Sequence, residues 1–216
     1  MIKSVISFVP LFRGMDAQEL NSALNLMDAL EKEHPRNTII ASAGSRLTRF
    51  GIVLSGTVQV SFSDIDGNDV LMVSAASGDT FGESLCWLGV EEIPVTITAV
   101  SDAKILWLSP EPLKNGDNSA VACHLRNRFI SMLAEKTLSM NDRVQALSKP
   151  TLRLKIITLL SQYSNRFGGK AFTLPFNRES LARYLGVNRT ALSRELSAME
   201  RDGIIEFYKN TFKILK

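Results

Sequence analysis

The segment from 177 to 205, NRESLARYLGVNRTALSRELSAMERDGII, limits the fold most, because it predicts two short helices joined by a tight turn. Asn177 can cap a first helix over 178–185 and Asn188 can cap a second, since an asparagine side chain accepts a hydrogen bond from a first-turn amide. Gly186 stands between them, where the end of a helix often requires a positive φ. Apolar residues at helical spacing mark the two buried faces, namely Leu181, Ala182 and Leu185 on the first helix and Leu192, Leu196 and Met199 on the second. The segment therefore predicts a helix-turn-helix, a motif that places its second helix in the DNA major groove.

The opposite face of the second helix carries polar and basic side chains that can reach base edges and phosphates. Arg189 and Arg194 are expected to read bases, with help from Thr190 and Ser193, because arginine suits the paired acceptors of guanine. The full set of candidate DNA-binding residues is Asn188, Arg189, Thr190, Ser193, Arg194, Ser197, Arg201 and Lys209. The alternative is an ordinary helical hairpin whose arginines face water.

Two features of the last third of the chain favour the DNA-binding interpretation. Residues 204–208 and 211–214 alternate around the polar pair Lys209-Asn210, which predicts a β-hairpin, or wing, beside the second helix. Residues 149–216 contain 13 Lys+Arg and 5 Asp+Glu, whereas residues 1–148 contain 12 and 17. The C-terminal part is thus basic and the rest acidic, which indicates a polyanionic partner for the C-terminal part alone.

Composition narrows the class of protein. The 216 residues are 45% hydrophobic and 22% charged, as in an ordinary globular protein. The chain has no run of about 18 apolar residues, and its N-terminal apolar stretch is interrupted and lacks a cleavage site, so we expect neither a membrane span nor a signal peptide. Cys86 and Cys123, the only cysteines, make no disulfide framework, so a cytoplasmic location is expected. Both are expected to be buried, inert thiols, and the alternative is that one of them is a redox sensor.

The first zone, 1–118, alternates short apolar segments with glycine-rich turns. A short helix is predicted after Asp16, which can form a capping box with Glu19. Strands are predicted at 38–40, 51–54, 57–62, 70–73, 95–100 and 103–108, with a turn at 64–68. Many short strands at this spacing predict an antiparallel barrel or roll, and the whole chain is therefore expected to be an α+β protein.

The second zone, 119–148, is predicted to be one long helix. Its seam residues recur at alternating steps of three and four, the pattern of a helix that pairs with a matching helix. This heptad seam consists of Ile130, Leu133, Thr137, Met140, Val144 and Leu147, and it predicts a homodimer. The alternative is a helix that lies on its own barrel. Pro150 marks a hinge near the start of the third zone, 149–216, which is the basic winged domain.

The order of the three zones and their motifs resemble the cyclic-AMP receptor protein/FNR (Crp/Fnr) family of bacterial regulators. The strongest matches are ARYLGVNRTALSREL in the third zone and the glycines Gly44, Gly56 and Gly82 in the first. The resemblance implies an N-terminal antiparallel β-roll (a jelly roll like that of cyclic-nucleotide-binding domains), a long dimerisation helix and a C-terminal winged helix-turn-helix. It also implies a dimeric transcription regulator that binds a double-stranded DNA operator and, if it is an activator, RNA polymerase.

The resemblance also places an effector pocket in the β-roll, with Gly82, Glu83, Ser84, Ile93 and Pro94 as candidate residues. In members that bind cyclic nucleotides, a Gly-Glu pair begins a segment that ends in Arg followed by Ser or Thr, and the arginine neutralises the phosphate. Counting from Gly82-Glu83 puts Ile93 and Pro94 at those two positions, and neither can pair with a phosphate. No Lys or Arg occurs between 50 and 103. The effector is therefore not expected to be cyclic AMP; a small organic molecule or no effector at all stays open.

Other cofactors leave no matching pattern in the chain. Two cysteines cannot supply the four ligands of an iron–sulfur cluster, and His34 and His124 are expected to be surface or helix residues and not haem ligands. We predict no metal site and no catalytic residues, since no Ser-His-Asp spacing, Walker loop or GxGxxG is present. Two rival functions are a cupin-type enzyme, which would need histidines on its strands, and a regulatory module that acts through protein contacts, which would not need a basic C-terminal domain.

Overall fold

The computed structural model describes residues 5–63, 69–115, 119–166, 168, 171–174 and 176–215. The chain divides into two compact units, Met1–Leu133 and Ala134–Lys216. The boundary falls inside the long helix and not at 118 or 148, where the zones of the sequence meet, so the division into sensor, helix and DNA-binding domains stays a prediction. The predicted turn at 64–68 lies outside the described residues.

The first unit contains two antiparallel sheets that face each other in a roll. Its helices are α1 (Ala17–Leu26), α2 (Glu83–Leu88) and α3 (Glu111–Lys114), preceded by a 3-10 turn at Pro10–Phe12. Its strands are β1 (Leu30–His34), β2 (Thr38–Ala41), β3 (Phe50–Ser55), β4 (Val58–Ser63), β5 (Asp69–Ala75), β6 (Thr80–Phe81), β7 (Thr96–Ala99) and β8 (Ala103–Leu108). The described strands pair in the orders β1-β8-β3-β6 and β2-β7-β4-β5. One core cluster joins the two sheets, with Val53 and Ile105 from the first and Val58 and Ile97 from the second.

Every strand predicted from alternation is present, with ends shifted by at most two residues. The Asp16 capping box is confirmed, since the Glu19 N–H donates to Asp16 Oδ1 (2.8 Å) and the Asp16 N–H donates to Glu19 Oε2 (3.0 Å). The sequence did not predict β1, whose residues LEKEH are mostly charged. This strand forms because it pairs with β8 along its whole length, and Lys104 adds an ion pair to Glu31 (2.8 Å).

The predicted long helix is confirmed as α4, Ala120–Leu147. One face of its first half is buried against the roll through Leu125, Phe129 and Met132, which share a core cluster with α1 and β3. The alternative interpretation, a helix lying on its own barrel, therefore holds for this face. Neither α4 nor any other described helix is long and apolar enough to cross a membrane.

The heptad seam of α4 is mostly exposed. Ile130, Met140 and Val144 expose 53%, 55% and 59% of their surface. Thr137 is exposed as well, Leu147 is half-buried, and Leu133 is half-buried because it packs against the core of the roll. The exposed part of the seam is thus a row of large apolar side chains that no other described element of the chain buries.

The second unit contains the end of α4 and a winged helix-turn-helix. Its elements are α5 (Leu152–Arg166), β9 (Phe172–Thr173), α6 (Arg178–Tyr184), α7 (Arg189–Arg201), β10 (Ile205–Tyr208) and β11 (Thr211–Ile214). The β10–β11 hairpin confirms the predicted wing, and β9, which the sequence did not predict, adds a third strand beside β11. The core residues predicted for the two helices are buried, and they pack against Ile156, Leu159, Phe172 and Phe212.

Candidate DNA-binding surface and effector pocket

Both helices of the helix-turn-helix begin at asparagine caps, as predicted. The Ser180 N–H donates to Asn177 Oδ1 (2.8 Å), and the Thr190 N–H donates to Asn188 Oδ1 (2.7 Å). Gly186 has a φ of +64°, a conformation that favours glycine, so the chain can turn sharply between α6 and α7. Asn188, which is also among the DNA-binding candidates, therefore serves the fold as the cap of α7.

The polar side chains of α7 form one outward surface, which we call the recognition face. It consists of Arg189, Thr190, Ser193, Arg194 and Ser197, of which Ser193 is half-buried and the others are exposed. Leu192, Leu196 and Met199 on the other side of the helix are fully buried. Arg201 at the end of α7 and Lys209 in the wing are exposed as well. The helix thus anchors itself by its apolar stripe and leaves its basic and hydroxyl side chains toward solvent.

Arg153 of α5 braces α7 through two ion pairs. Its Nε lies 2.6 Å from Glu195 Oε1, and its Nη1 lies 2.7 Å from Asp202 Oδ2. The hydrogen bond to Glu195, followed by that to Asp202, raises the pKa of Arg153. The brace neutralises two carboxylates that would otherwise repel a DNA phosphate. The sequence did not indicate this role for Arg153, because its partners lie 42 and 49 positions away along the chain.

Arg178, the first residue of α6, holds the wing. Its guanidinium lies over the rings of Phe207 (5.1 Å) and Phe212 (5.9 Å), and it donates to the Lys209 carbonyl oxygen (3.1 Å). Lys209 has a φ of +55° and forms the tip of the hairpin. Burial, followed by repulsion from Arg189, lowers the pKa of Arg178. The contacts tie the wing tip to the start of the helix-turn-helix, and no local sequence pattern indicates them.

A second feature is a pocket of about 470 Å³ in the first unit. Its apolar lining comes from Val60, Phe62, Met72, Val73, Leu85 and Val95. Four residues between β6 and β7 complete it, namely Gly82, Glu83, Ser84 and Pro94. None of the described residues that line the pocket is basic. The pocket therefore has the size of a small-molecule site but no cation for a phosphate.

Four of the five candidate pocket residues line the pocket, and the fifth, Ile93, does not. Gly82, Glu83, Ser84 and Pro94 line the pocket. Ile93 is not among the lining residues, and only 1% of its surface is exposed. Its N–H donates to the Ser45 carbonyl (2.9 Å) and its own carbonyl accepts from the Gly44 N–H (2.9 Å), so the backbone holds it in the core of the roll. The residue that counting along the chain puts at the position of the phosphate-binding arginine is thus a core residue.

Gly82 is required by the local geometry. Its φ is +78°, and a Cβ at this position would lie 2.6 Å from Leu47 Cδ2. Gly44 and Gly56 also have positive φ values, of +81° and +83°. All three glycines thus have backbone conformations that favour glycine.

Residues 154–216 match the family of Crp-like helix-turn-helix domains, and residues 31–115 match the family of cyclic nucleotide-binding domains. These matches coincide with the winged domain and the roll, in the same order along the chain. The chain belongs to the Crp/Fnr family of transcription regulators. Its fold class, an α+β protein with an antiparallel β-roll and a C-terminal winged helix-turn-helix, is confirmed.

Several proteins are similar to this Crp/Fnr regulator over most of their length. The transcriptional activator FnrL of Cereibacter sphaeroides is 24% identical over 199 residues, covering 88% of this chain and 77% of FnrL. The cyclic AMP receptor protein of Thermus thermophilus is 23% identical over 208 residues, covering 95% of this chain and 92% of that protein. Among solved structures, the c-di-GMP-responsive global regulator CLP of Xanthomonas campestris is similar with a TM-score of 0.58 at 18% identity, covering 93% of this chain and all of that one. A likeness at this identity shows the fold.

The two cysteines and His34 of this Crp/Fnr regulator differ in how deeply they are buried. Cys86 is buried, and burial, followed by the charge of Glu83, raises its pKa to about 12. Cys123 is only half-buried, which corrects the expectation of two buried thiols. His34, expected at the surface or in a helix, is instead buried in β1 with its ring 6.2 Å from that of Trp107, because the pairing of β1 with β8 turns it inward. In the described parts of the chain, no group of three or more His, Cys, Asp or Glu side chains is placed to hold a metal ion.

Proposed function

We propose that this Crp/Fnr regulator binds a two-fold DNA operator as a homodimer and reads the bases with the recognition face of α7. The observation that carries the proposal is the exposure of Arg189 and Arg194 on a helix whose other side is fixed in a core and whose Glu195 is paired with Arg153. An arginine can bind O6 and N7 of guanine together, which discriminates against a wrong base by about 1–3 kcal/mol. Because the bacterial chromosome lies in the cytoplasm, we assign the regulator to that compartment.

Selection of bound duplexes from a random operator library tests the reading of bases. The wild type is expected to enrich a two-fold sequence, and Arg194→Ala is expected to lose one base preference within each half-site. Lys213→Ala serves as the matched control, since Lys213 is exposed on the wing but lies 3.9 Å from the Glu206 carboxylate. If Arg194→Ala keeps every base preference and loses only overall affinity, Arg194 contacts phosphate and does not read bases.

The exposed part of the heptad seam supports the homodimer. Pairing of two α4 helices would remove Ile130, Met140 and Val144 from water, and each such side chain contributes about 1.5–3 kcal/mol when fully buried. A two-fold operator has half-sites about 34 Å apart, which a symmetric dimer can occupy together. The seam therefore gives α4 a role in assembly besides its packing on the roll.

Charge substitutions in the seam test the dimer. Ile130→Glu with Val144→Glu is expected to shift sedimentation to the monomer, because two carboxylates from each chain would be buried at the interface. Leu133 is a poor choice for this test, since it packs against the roll and its replacement would also disturb the core. Ser139→Glu is the matched control, as Ser139 is exposed on the side of α4 opposite the seam. A double variant that stays a tight dimer would contradict the seam assignment.

We further propose that the pocket of the roll is an effector site that does not accept cyclic AMP. Its lining contains no described cation, and Ile93 stands where a phosphate-binding arginine would be. A buried phosphate without a partner is costly, so the phosphate of a cyclic nucleotide would remain uncompensated there. Calorimetric titration of the protein with cyclic AMP is expected to show no binding, and a measurable affinity would contradict this part of the proposal.

The transcriptional activators among the relatives suggest the direction of regulation. We propose that the DNA-bound dimer is an activator that contacts RNA polymerase, and that it has no catalytic activity of its own. Transcription in vitro from a promoter carrying the selected operator should rise when the protein is added. Repression of that promoter would contradict the activator assignment and leave the DNA-binding assignment intact.

A further inference from the structure

We propose that the pocket of the roll takes an apolar small molecule that carries an N–H or O–H donor and is not an anion. The proposal rests on the proposed function, in which this pocket is the effector site. It names the chemical class of the effector, which neither the family nor the relatives determine for this chain.

The apolar wall of the pocket is made by a distortion in the pairing of β4 with β5. Val60 pairs with Val73 and Ser61 pairs with Leu71, so Met72 is an extra residue in β5. In a regular strand, neighbouring side chains point to opposite faces, whereas a bulge brings two consecutive residues to one side. Met72 and Val73 both line the pocket for this reason, beside Val60 and Phe62 of β4. The bulge thus adds a large, flexible apolar side chain to the wall.

Three of the apolar side chains of this wall are exposed to solvent. Met72 and Val73 expose 40% and 41% of their surface, and Phe62 exposes 36%. A ligand that covers them gains the free energy of removing apolar surface from water. A pocket of about 470 Å³ lies within the range of about 300–1,000 Å³ that holds small organic molecules. A molecule with one or two apolar rings fits both the size and the lining.

The charges around the pocket disfavour an anion. Between residues 50 and 103 the sequence contains eight Asp or Glu and no Lys or Arg. One of the eight, Glu83, lines the pocket itself and exposes only 6% of its surface. An anion in the pocket would lie near this carboxylate in surroundings of low dielectric constant, where repulsion between like charges is strong.

The same carboxylate determines the polar end of the ligand. A carboxyl group offers several acceptor positions, so it can accept a further hydrogen bond from a ligand N–H or O–H. Ser84, which follows it in the lining, carries a hydroxyl that can donate or accept. A neutral or cationic donor placed at this end of the pocket is favoured, and a carboxylate or phosphate is not.

Fluorescence of N-phenyl-1-naphthylamine, a neutral apolar probe with one N–H, tests the proposal on the full-length protein. The probe is expected to bind with one site per chain. Its displacement by 1-naphthol, which is neutral and donates an O–H, should require about tenfold less competitor than displacement by 1-naphthoate, which has the same rings and a negative charge. Equal displacement by both competitors, or no binding of the probe, would overturn the proposal.

Two lysine variants locate the site. Val73→Lys should weaken the probe about tenfold and improve 1-naphthoate, because it places a cation in the apolar wall. Ser74→Lys adds the same charge at the neighbouring exposed position of β5, which is not among the lining residues, and should leave both ligands unchanged. If the two variants behave alike, the probe binds elsewhere. Tryptophan emission checks the fold, since Trp87 and Trp107 both lie in the roll.

The operator selection is carried out without any probe, so the two ideas can fail separately. A protein that binds the probe as described but shows no operator preference would contradict the DNA-binding part of the proposed function. A protein that selects an operator but binds 1-naphthoate as well as 1-naphthol would contradict the ligand class alone.

Discussion

The recognition face of α7 and the pocket of the roll are opposite kinds of surface. The recognition face presents basic and hydroxyl side chains to solvent, and its helix is positioned by the buried Leu192, Leu196 and Met199. The pocket presents apolar side chains with one buried carboxylate, and its surroundings are acidic in sequence. The first surface is suited to a polyanion, whereas we propose that the second does not accept one. The two units of this Crp/Fnr regulator are thus proposed to differ in whether they bind phosphate.

The difference between the two surfaces shows how far a family resemblance predicts the ligand of each. At the recognition face, the residues proposed to contact DNA lie within the helix-turn-helix motif and are mostly exposed, as the resemblance implies. At the pocket, the fold and Gly82-Glu83 match the family, yet Ile93, which counting along the chain puts at the position of the phosphate-binding arginine, is buried in the core. Under the proposed function, the fold of the binding site is kept while its ligand class changes.

Large-to-small substitutions in the two cores test whether the two units unfold independently. Leu196→Ala should lower the free energy of unfolding of the second unit by about 2–5 kcal/mol, and Ile52→Ala should do the same for the first, since both side chains are fully buried. The two tryptophans lie in the first unit and the three tyrosines, Tyr163, Tyr184 and Tyr208, in the second. Each variant should therefore shift one signal more than the other in a urea titration. Equal shifts of both signals would show a single cooperative unit.

The rates at which the two cysteines are alkylated test whether solvent reaches the interior of the roll near Cys86. Burial raises the pKa of Cys86 from 9.0 to about 12, which leaves about a thousandfold less thiolate at neutral pH. Iodoacetamide should modify Cys123 first and Cys86 only when the roll unfolds, as measured by mass spectrometry of the peptides. Modification of both thiols at the same rate in the native protein would mean that water reaches the interior of the roll.

The salt dependence of DNA affinity tests whether basic side chains of the winged domain contact phosphates. Removal of one side chain that binds a phosphate should reduce the slope of log affinity against log salt by about 0.9. Lys209→Ala is expected to show this reduction and to weaken all DNA sequences alike, whereas Lys213→Ala, beside Glu206, should leave the slope unchanged. Arg178→Ala should resemble Lys209→Ala, because it removes the contacts that hold the wing tip. An unchanged slope in Arg178→Ala would show that the wing keeps its position without this arginine.

Acid should weaken the roll slightly through His34. Burial, followed by the charge of Lys32, lowers the pKa of His34, so the unfolded chain binds the proton more readily than the folded one. The stabilising contribution is present above the ordinary pKa of 6.5 and is lost as the pH falls through the lowered pKa of the folded state. Urea midpoints from tryptophan emission at about pH 8 and pH 5 should differ less in His34→Gln than in the wild type. The exposed His124 provides the control, since His124→Gln should leave the difference unchanged.

The helix-turn-helix and the wing could be predicted from the sequence because their signals are local. The caps Asn177 and Asn188, the turn at Gly186 and the apolar stripe of α7 act within one or two helical turns. The strand β1 could not be predicted, since its charged residues form a strand only through pairing with β8, about 70 residues away.

The roles of the side chains that support the two surfaces could not be predicted either, because these roles also depend on residues distant in the sequence. Arg153 and Arg178 form hydrogen bonds with partners 31 to 49 positions away, and the bulge at Met72 depends on the register of β5 against β4. Counting along the chain placed Ile93 and Pro94 together in the pocket, but the backbone hydrogen bonds of Ile93 to Gly44 and Ser45 withdraw its side chain into the core. The sequence thus located the candidate residues, but the direction in which each side chain points required the tertiary structure.

A titration of the selected operator duplex, followed by fluorescence anisotropy in the absence and presence of saturating cyclic AMP, tests the contrast between the two surfaces most directly. The account predicts tight, salt-sensitive binding that prefers the operator over random DNA and is the same with and without cyclic AMP. Binding that appears or strengthens only when cyclic AMP is added would contradict it, because the pocket would then accept the phosphate that its apolar and acidic lining is inferred to exclude.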